Sequence, residues 1–250
     1  MIDIHSHILP AVDDGAQDLA TALEMARIGV ADGLTHLFAT PHHIYFTPLT
    51  RDDVADRVAA LQEALDMANI PLTIIPGHEV RLYVDTLSDW SKELAGPLGH
   101  SRYVLTEPDF YVFDETTIAI LHELLDRGLI PVLAHPERII PIQENLSIIE
   151  PILARGGLVQ VTSNNLVKPP AGNVRISPRI ISPAARKTAF EMLQRGWVHI
   201  IASDAHDTGF RRPVLKAAVL AAAKIVGEER AMAMVTTNPQ AILSDEPVAI

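Results

Sequence analysis

Residues 1–15 read MIDIHSHILPAVDDG. Within them the short β-branched run Ile2–Ile4 leads into His5 and His7, two imidazoles at i and i+2, which in a strand or just past one point the same way. The pattern recurs along the chain. His36–Thr40 leads into His42, Leu72–Pro76 into Glu79, Arg102–Leu105 into Glu107, and Pro131–Ala134 into His135. Val159–Thr162 leads into Ser163 and Asn164, and His199–Ser203 into Asp204 and His206. Parallel strands of one barrel end on a shared face, so residues scattered over two hundred positions can meet in one small volume.

The segments between the runs carry a helical period. In Gln17–Asp32, Leu19, Ala22, Leu23, Ala26, Gly29 and Val30 follow the i, i+3, i+4, i+7 spacing of a helix lying on a sheet, and Gly33 stops it. Arg51–Asn69, Glu115–Arg127, Glu144–Arg155 and Pro178–Arg195 repeat the alternation, most of them ended by a glycine or proline. Strand–helix alternation of this kind means right-handed βαβ units and a parallel sheet. Seven units are countable, so the expected fold is α/β, an irregular TIM-like (β/α)7 barrel. An open doubly wound sheet is the alternative, but it would need a Gly-x-Gly-x-x-Gly turn after the first strand, and would not need polar residues at every strand end. Ala217–Val235 reads as one or two closing helices, and a last short helix is expected at Pro239.

At 250 residues the chain has the usual size of one such barrel, and residues 1–250 are read as a single domain. It contains no cysteine, which excludes disulfides, zinc–thiolate sites, iron–sulfur clusters and thiolate nucleophiles. A formal charge of −11 argues against nucleic acid as a partner. Part of the deficit is local, because several acids stand where cations are expected. No apolar run approaches the length of a membrane span, so membrane insertion is not expected and a cytoplasmic location follows by default.

The first and last runs deliver the same i, i+2 spacing, His5/His7 and Asp204/His206, and in a closed barrel those strands are neighbours. Glu79, Glu107 and His135 each end an apolar run with a titratable group, which once buried needs a cation or a hydrogen-bond partner. Asp13-Asp14-Gly15 alone reads as a turn and helix start. The loops Pro41–Thr50, with Tyr45 and Phe46, and Ser163–Ser177, with Lys168, Pro169, Pro170, Gly172 and Arg175, exceed what helix entry requires and are expected to shape the substrate site. His36, His100, His122 and His199 are read as structural or surface residues, and His43 and His78 as supports for neighbouring ligands.

Met1–Gly15, Ala39–His42 (ATPH), Gly77–Glu79 (GHE), Tyr103–Glu107 (YVLTE), Ala134–Arg138 (AHPER) and Ala202–His206 (ASDAH) together resemble the polymerase and histidinol phosphatase (PHP) superfamily. Within it they are similar to the bacterial tyrosine phosphatases of capsule and exopolysaccharide systems, the CpsB/CapC type. The resemblance is collinear from Met1 to about Pro213. It implies a PHP fold with a site for three divalent ions: His5, His7, Glu79 and Asp204 on the first, Glu79 as a bridge with Glu107 and His135 on the second, and Asp14, His42 and His206 on the third. It favours manganese, although nitrogen and oxygen ligands without sulfur suit iron or zinc as well. Arg138 and Arg211 match the family's phosphate-binding arginines, with Arg212 making the second assignment ambiguous.

The implied chemistry is attack on phosphorus by a metal-activated hydroxide, with the guanidiniums spreading charge on the phosphoryl oxygens. A phenolate of pKa near 10 leaves without a strong general acid, which suits phosphotyrosine; Tyr45 and Phe46, as loop aromatics, are read first as local packing, with stacking on the substrate ring as the alternative. The implied substrate is the C-terminal tail of a bacterial tyrosine autokinase. The alternatives are a PHP phosphatase of a small phosphomonoester such as histidinol phosphate, an amidohydrolase or TatD-like nuclease, and a non-catalytic metal-binding barrel. Glu107 stands where an amidohydrolase often has a bridging lysine.

Overall fold

The computed structural model describes residues 1–46, 48–167 and 181–249. Its strands are β1 (Ile2–Asp3), β2 (His36–Ala39), β3 (Thr73–Pro76), β4 (Glu79–Arg81), β5 (Tyr103–Glu107), β6 (Ile130–Ala134), β7 (Leu158–Thr162) and β8 (Ile200–Ala202). All pair in parallel, in two arcs, β1-β2-β3 and β4-β5-β6-β7-β8. Single parallel bridges join the arcs at both seams, Ser6 to Ala205 and His42 to Glu79. At the first seam His7 N–H donates to Ala205 O (2.8 Å) and Asp204 N–H to His5 O (2.9 Å).

The β4 strand is additional to the expected runs, yet the barrel keeps seven positions. β3 and β4 share one position, β3 pairing with β2 and β4 with β5. The interruption falls at Gly77-His78. A Cβ on Gly77 would stand 3.1 Å from the Leu98 side chain and 3.3 Å from that of Thr40, so a larger residue would crowd both.

Interior and exterior faces alternate as a period of two requires. Along β5 the inward residues run Tyr103, Leu105, Glu107, apolar at the base and acidic at the mouth. Ile2, Ile4, Phe38, Val132, Ala134, Leu158, Ile200 and Ala202 complete the apolar floor. Ile242 and Val248 close it from below, with Tyr103 Oη donating to Glu246 O (2.7 Å). The opposite strand faces pack on the helices through Leu37, Ile74, Leu133, Val159 and Ile201.

Helices Leu19–Ala31, Arg51–Met67, Glu115–Asp126 and Pro183–Gln194 stand where the periodicity expects them, and Asp18, Thr50, Asp114 and Ser182 cap them through their side chains. Glu144–Arg155, read as one helix, is instead three short turns over Ile140–Glu144, Leu146–Ile149 and Glu150–Leu153. Asn145 breaks it, extended at φ −147° with its side chain accepting from Ser147 N–H. A helix at Thr86–Ser91 was not expected, and the closing segment divides at Gly227 into Lys216–Val226 and Glu228–Ala233. The last helix is Thr237–Leu243. Most of the Ser163–Ser177 loop, including Lys168, Pro169, Pro170, Gly172 and Arg175, lies outside the described residues.

Candidate metal centre

All nine expected ligands gather at the mouth of the barrel. Two are fixed by an uncommon backbone: His135 (φ +34°) and Asp204 (φ +52°) lie in the left-handed region, which costs a non-glycine residue about 1–3 kcal/mol. Gly15 allows the Asp13-Asp14 turn to fold onto His7, since a Cβ there would fall 1.9 Å from His7 O.

The tightest group is His5, His7, Glu79 and Asp204, all buried. His5 Nε2 lies 3.3 Å from Glu79 Oε1 and 3.4 Å from Asp204 Oδ1, and His7 Nε2 lies 3.4 Å from Glu79 Oε2, from Asp204 Oδ1 and from His5 Nε2. The outer ring nitrogens identify the donors. His5 Nδ1 is 3.0 Å from Gln160 Oε1 and His7 Nδ1 is 2.6 Å from Asp13 Oδ2, oxygens that only accept, so both Nδ1 atoms carry protons. In the neutral imidazoles both Nε2 lone pairs then face two carboxylates, four acceptors with no donor between them. The ligand atoms of His5, His7 and Glu79 lie close enough together to share one ion at the roughly 2.1 Å bond length of a transition metal to nitrogen or oxygen, with Asp204 Oδ1 beside both imidazoles. The residues fit a divalent ion.

Glu79 reaches the second group. His135 Nε2 is 2.8 Å from Glu79 Oε1 and 4.0 Å from Glu107 Oε1. In the third, Asp14 Oδ1 stands 3.3 Å from His206 Nε2 and 3.5 Å from His42 Nε2, while His206 Nδ1 donates to Asp204 O at 2.9 Å. His42 also faces the second group, its Nδ1 2.8 Å from Glu79 Oε2, and His7 and His206 rings lie 3.9 Å apart. Glu79 Oε2 and His42 Nδ1, although in ion-pair contact with each other, and His135 Nδ1 are buried without a hydrogen bond among the described residues. Three sets of ligand atoms close enough for one ion each are present: His7, Asp14, His42 and His206; His5, His7 and Glu79; His42, Glu79 and Glu107.

Without an ion, the buried carboxylates and imidazoles charge one another, and Glu79, Asp204 and Asp13 raise His5 and His7 against their burial. Burial pushes Glu79 up, but the His5 and His42 imidazoles outweigh it and hold the carboxyl well below its usual range. Burial likewise opposes Asp204, and Arg211 and Arg138 hold it low. Glu107 has weaker cationic company, so burial and then the Glu79 charge push it up to about 7. Burial drives His135 and His206 down to about 4, the neutral form a metal requires, whereas Glu79 raises His42 to about 10 against burial.

Arg138 Nη1 and Arg211 Nη2 both donate to Asp204 Oδ2, at 2.6 and 2.7 Å. Arg138 Nε and Nη2 and Arg211 Nε are buried and unpartnered among the described residues, in the wall of a cavity of about 430 Å³. Two guanidiniums with spare donors beside a cation site make a receptor for a tetrahedral oxyanion. Arg211 lines that cavity, whereas Arg212 is exposed and does not.

Several residues of the site were missed in the sequence. Arg81 lines the cavity, and Asp13 holds His7 while accepting from Gly15 N–H (3.0 Å) and His42 N–H (3.2 Å). Gln160 orients His5, and buried Glu137 accepts from Thr162 N–H and Asn165 Nδ2, tying the His135 turn to β7. Arg81 and Gln160 had a signal, a polar side chain at an inward position of a strand. His43 supports β4, its Nδ1 accepting from Arg81 N–H at 3.0 Å, and His78 lies 3.3 Å from Leu49 O. His199 Nδ1 accepts from Val159 N–H, a structural role as expected.

A parallel barrel carrying three adjoining nitrogen–oxygen clusters beside two buried arginines defines a hydrolase-type metal barrel directed at an anionic substrate. Residues 1–244 match the family model described as "Capsular polysaccharide synthesis, CpsB/CapC", and the chain belongs to that family. It is 33% identical to tyrosine-protein phosphatase YwqE of Bacillus subtilis, over 99% of this chain and 93% of the relative. Against tyrosine-protein phosphatase CpsB of Streptococcus pneumoniae it is 27% identical, over 98% and 99%. A crystal structure from work on YwqE and CpsB, described there as metal-dependent tyrosine phosphatases, superposes with a TM-score of 0.88 at 33% identity, covering 100% of this chain and 96% of the other. An inactive dihydroorotase-like domain from Chaetomium thermophilum superposes at 0.53 with 10% identity, over 97% of this chain and 78% of that one, a likeness of fold alone.

Proposed function

We propose that the protein is a metal-dependent protein-tyrosine phosphatase, residues 1–250 working as one domain, and that its substrate is the phosphorylated C-terminal tail of a tyrosine autokinase controlling capsule or exopolysaccharide synthesis. The observation that carries this reading is the meeting of Arg138 and Arg211 on Asp204 Oδ2, while Asp204 Oδ1 faces His5 and His7. One carboxylate thus joins the oxyanion receptor to the cation site. Kinship with YwqE and CpsB supports the same activity. A kinase tail phosphorylated by ATP lies in the cytoplasm, where the enzyme is placed; among the described residues no helix is long and apolar enough to cross a membrane.

The site is assigned three divalent ions, manganese by preference, with iron or zinc suited by the same donors. His5, His7, Glu79 and Asp204 would hold the first, Glu79, Glu107 and His135 the second, and Asp14, His42 and His206 the third. When bound, the ions supply Lewis acidity that brings the pKa of water toward neutrality and a positive surface for phosphate. The chain does the rest. Arg138 and Arg211 turn their spare N–H groups to the phosphoryl oxygens and neutralise charge that grows as phosphorus is attacked. Gln160 and Asp13 keep the protons of His5 and His7 on Nδ1. The phenolate departs unaided, so no general acid is required.

Metal-stripped protein reloaded with manganese, assayed on a phosphotyrosine peptide and on histidinol phosphate, tests the reading. Turnover of the peptide alone is expected, with three ions per chain by elemental analysis. Hydrolysis of only the metabolite would refute the substrate, and one or two ions per chain the cluster.

A further inference from the structure

The mouth of the cavity has two aromatic walls. Tyr45 and Phe46, 50% and 39% exposed, come from the loop after β2, and Phe110 and Tyr111 from the segment after β5. The placement is ordered. Phe46 stacks toward His42 with ring centroids 6.0 Å apart and planes at 17°, and Phe110 toward His135 at 5.7 Å and 9°. Each ring therefore lies nearly parallel to an imidazole of the candidate metal centre. Arg81, which is nearly buried, ties the walls together. Its guanidinium lies 5.4 Å over the Tyr45 ring on one side; on the other Nη1 donates to Pro108 O (3.0 Å) and Nη2 pairs with Asp109, the residue before Phe110.

We propose that the two walls form a slot recognising the aryl ring of a phosphomonoester, and that Arg81 is the positioning residue that sets its width. The proposal rests on the phosphatase reading and adds to it the means of choosing aryl over alkyl phosphates. The floor cannot choose, because ions and guanidiniums meet the same phosphoryl group in either case. A phenyl ring entering between Phe46 and Phe110 leaves water on both faces and gains ring contacts, whereas the single carbon of a serine side chain reaches neither wall. The planar guanidinium suits the role because it stacks on one wall while hydrogen-bonding the other.

Aryl esters also react faster because phenolate leaves more easily, so rates cannot isolate the slot. Phosphonates do, since their P–C bond survives. Binding of phenylphosphonate and methylphosphonate to manganese-loaded protein is measured by titration calorimetry, with metal content checked in each variant. The protein is expected to prefer the phenyl compound by roughly tenfold, the scale of a ring sandwiched by aromatic contacts. Phe46→Ala with Phe110→Ala should cut that ratio to about two. Arg81→Ala should lower it roughly threefold, and Arg81→Lys, which keeps the charge and loses the planar fork, should fall between. A ratio near one in the unmutated protein, or one unchanged by the phenylalanine substitutions, overturns the slot. Arg81→Ala weakening both ligands equally, or losing metal, overturns the role of Arg81. If neither phosphonate binds the loaded protein, the phosphatase reading falls as well.

Discussion

Replacing Asp13 by asparagine removes one oxygen and tests the logic of the first cluster. The Asp13 carboxylate accepts three hydrogen bonds, from His7 Nδ1 (2.6 Å), His42 N (3.2 Å) and Gly15 N (3.0 Å). Oδ2 takes the first two and Oδ1 the third. An asparagine has one acceptor oxygen. If that oxygen stays with Gly15, the amide NH₂ faces His7 Nδ1, and the imidazole must move its proton to Nε2, where the cation site needs a lone pair. If the amide turns to keep His7, its NH₂ opposes Gly15 N–H, and the turn carrying Asp14 loses its anchor. Either outcome weakens the site. Disturbing the partner of a ligating histidine costs about 10–100-fold in metal affinity, or roughly 1.4–2.8 kcal/mol. Competition between the stripped protein and a chromophoric chelator for manganese reads this directly. The substitution should weaken the tightest ion by that factor, while a substitution at exposed Asp52 leaves it unchanged. Wild-type affinity in Asp13→Asn would refute the assignment of the His7 tautomer.

Arg211→Ala should lower kcat/KM on a phosphotyrosine peptide by about 10²–10³-fold, the usual effect of removing a transition-state donor, while Arg212→Ala stays within about twofold; the reverse order would transfer the role to Arg212. Gly15→Ala drives a methyl into His7 O and should cost about 3 kcal/mol, seen as a melting temperature about 6–12 °C lower; an unchanged melting curve would contradict the close approach. The affinity for manganese should depend on pH through Glu107, whose folded pKa is pushed up to about 7. A raised carboxyl favours its protonated form, so its contribution to metal-free stability is complete below the unfolded value near 4.5 and is lost as pH rises through 7. The same proton must leave for an ion to enter, so affinity should climb by up to about tenfold per pH unit below 7 and level off above it. Calorimetric titration from pH 5.5 to 8.5 checks this, and a flat profile would show that Glu107 is not a ligand.

Much of the barrel and most of the site were legible because both depend on short-range patterns. A strand that faces a core on both sides reads as a β-branched run, and a ligand at its mouth reads as the abrupt end of that run, as at Leu105 to Glu107 or Ala134 to His135. What the pattern concealed depends on close approaches and on partners distant in sequence. Between β3 and β4, Gly77 sits where a side chain would crowd Leu98 and Thr40, neighbours no local window contains. Asp13 reads as half of a turn until His7 folds back on it, and the helix expected over Glu144–Arg155 fails because Asn145 bonds its own loop instead of continuing a helix. Arg81 and Gln160 were in principle visible, since each is a polar residue at an inward position of an apolar strand. Their partners, Asp109 and His5, only the fold reveals.

The two arcs of the barrel wall meet through one bridge at each seam, and both bridges lie among the candidate ligands. His5 and His7 flank one side of the Ser6–Ala205 junction and Asp204 and His206 the other, while His42 and Glu79 are themselves the second junction. Ions gripped there would act as rivets on an open hoop, so loading the site and closing the wall become one event. Chelation should then loosen the cylinder first along these two lines, with amide exchange quickening at His7, Glu79 and Asp204 before it reaches the β5–β6 ladder on the far side.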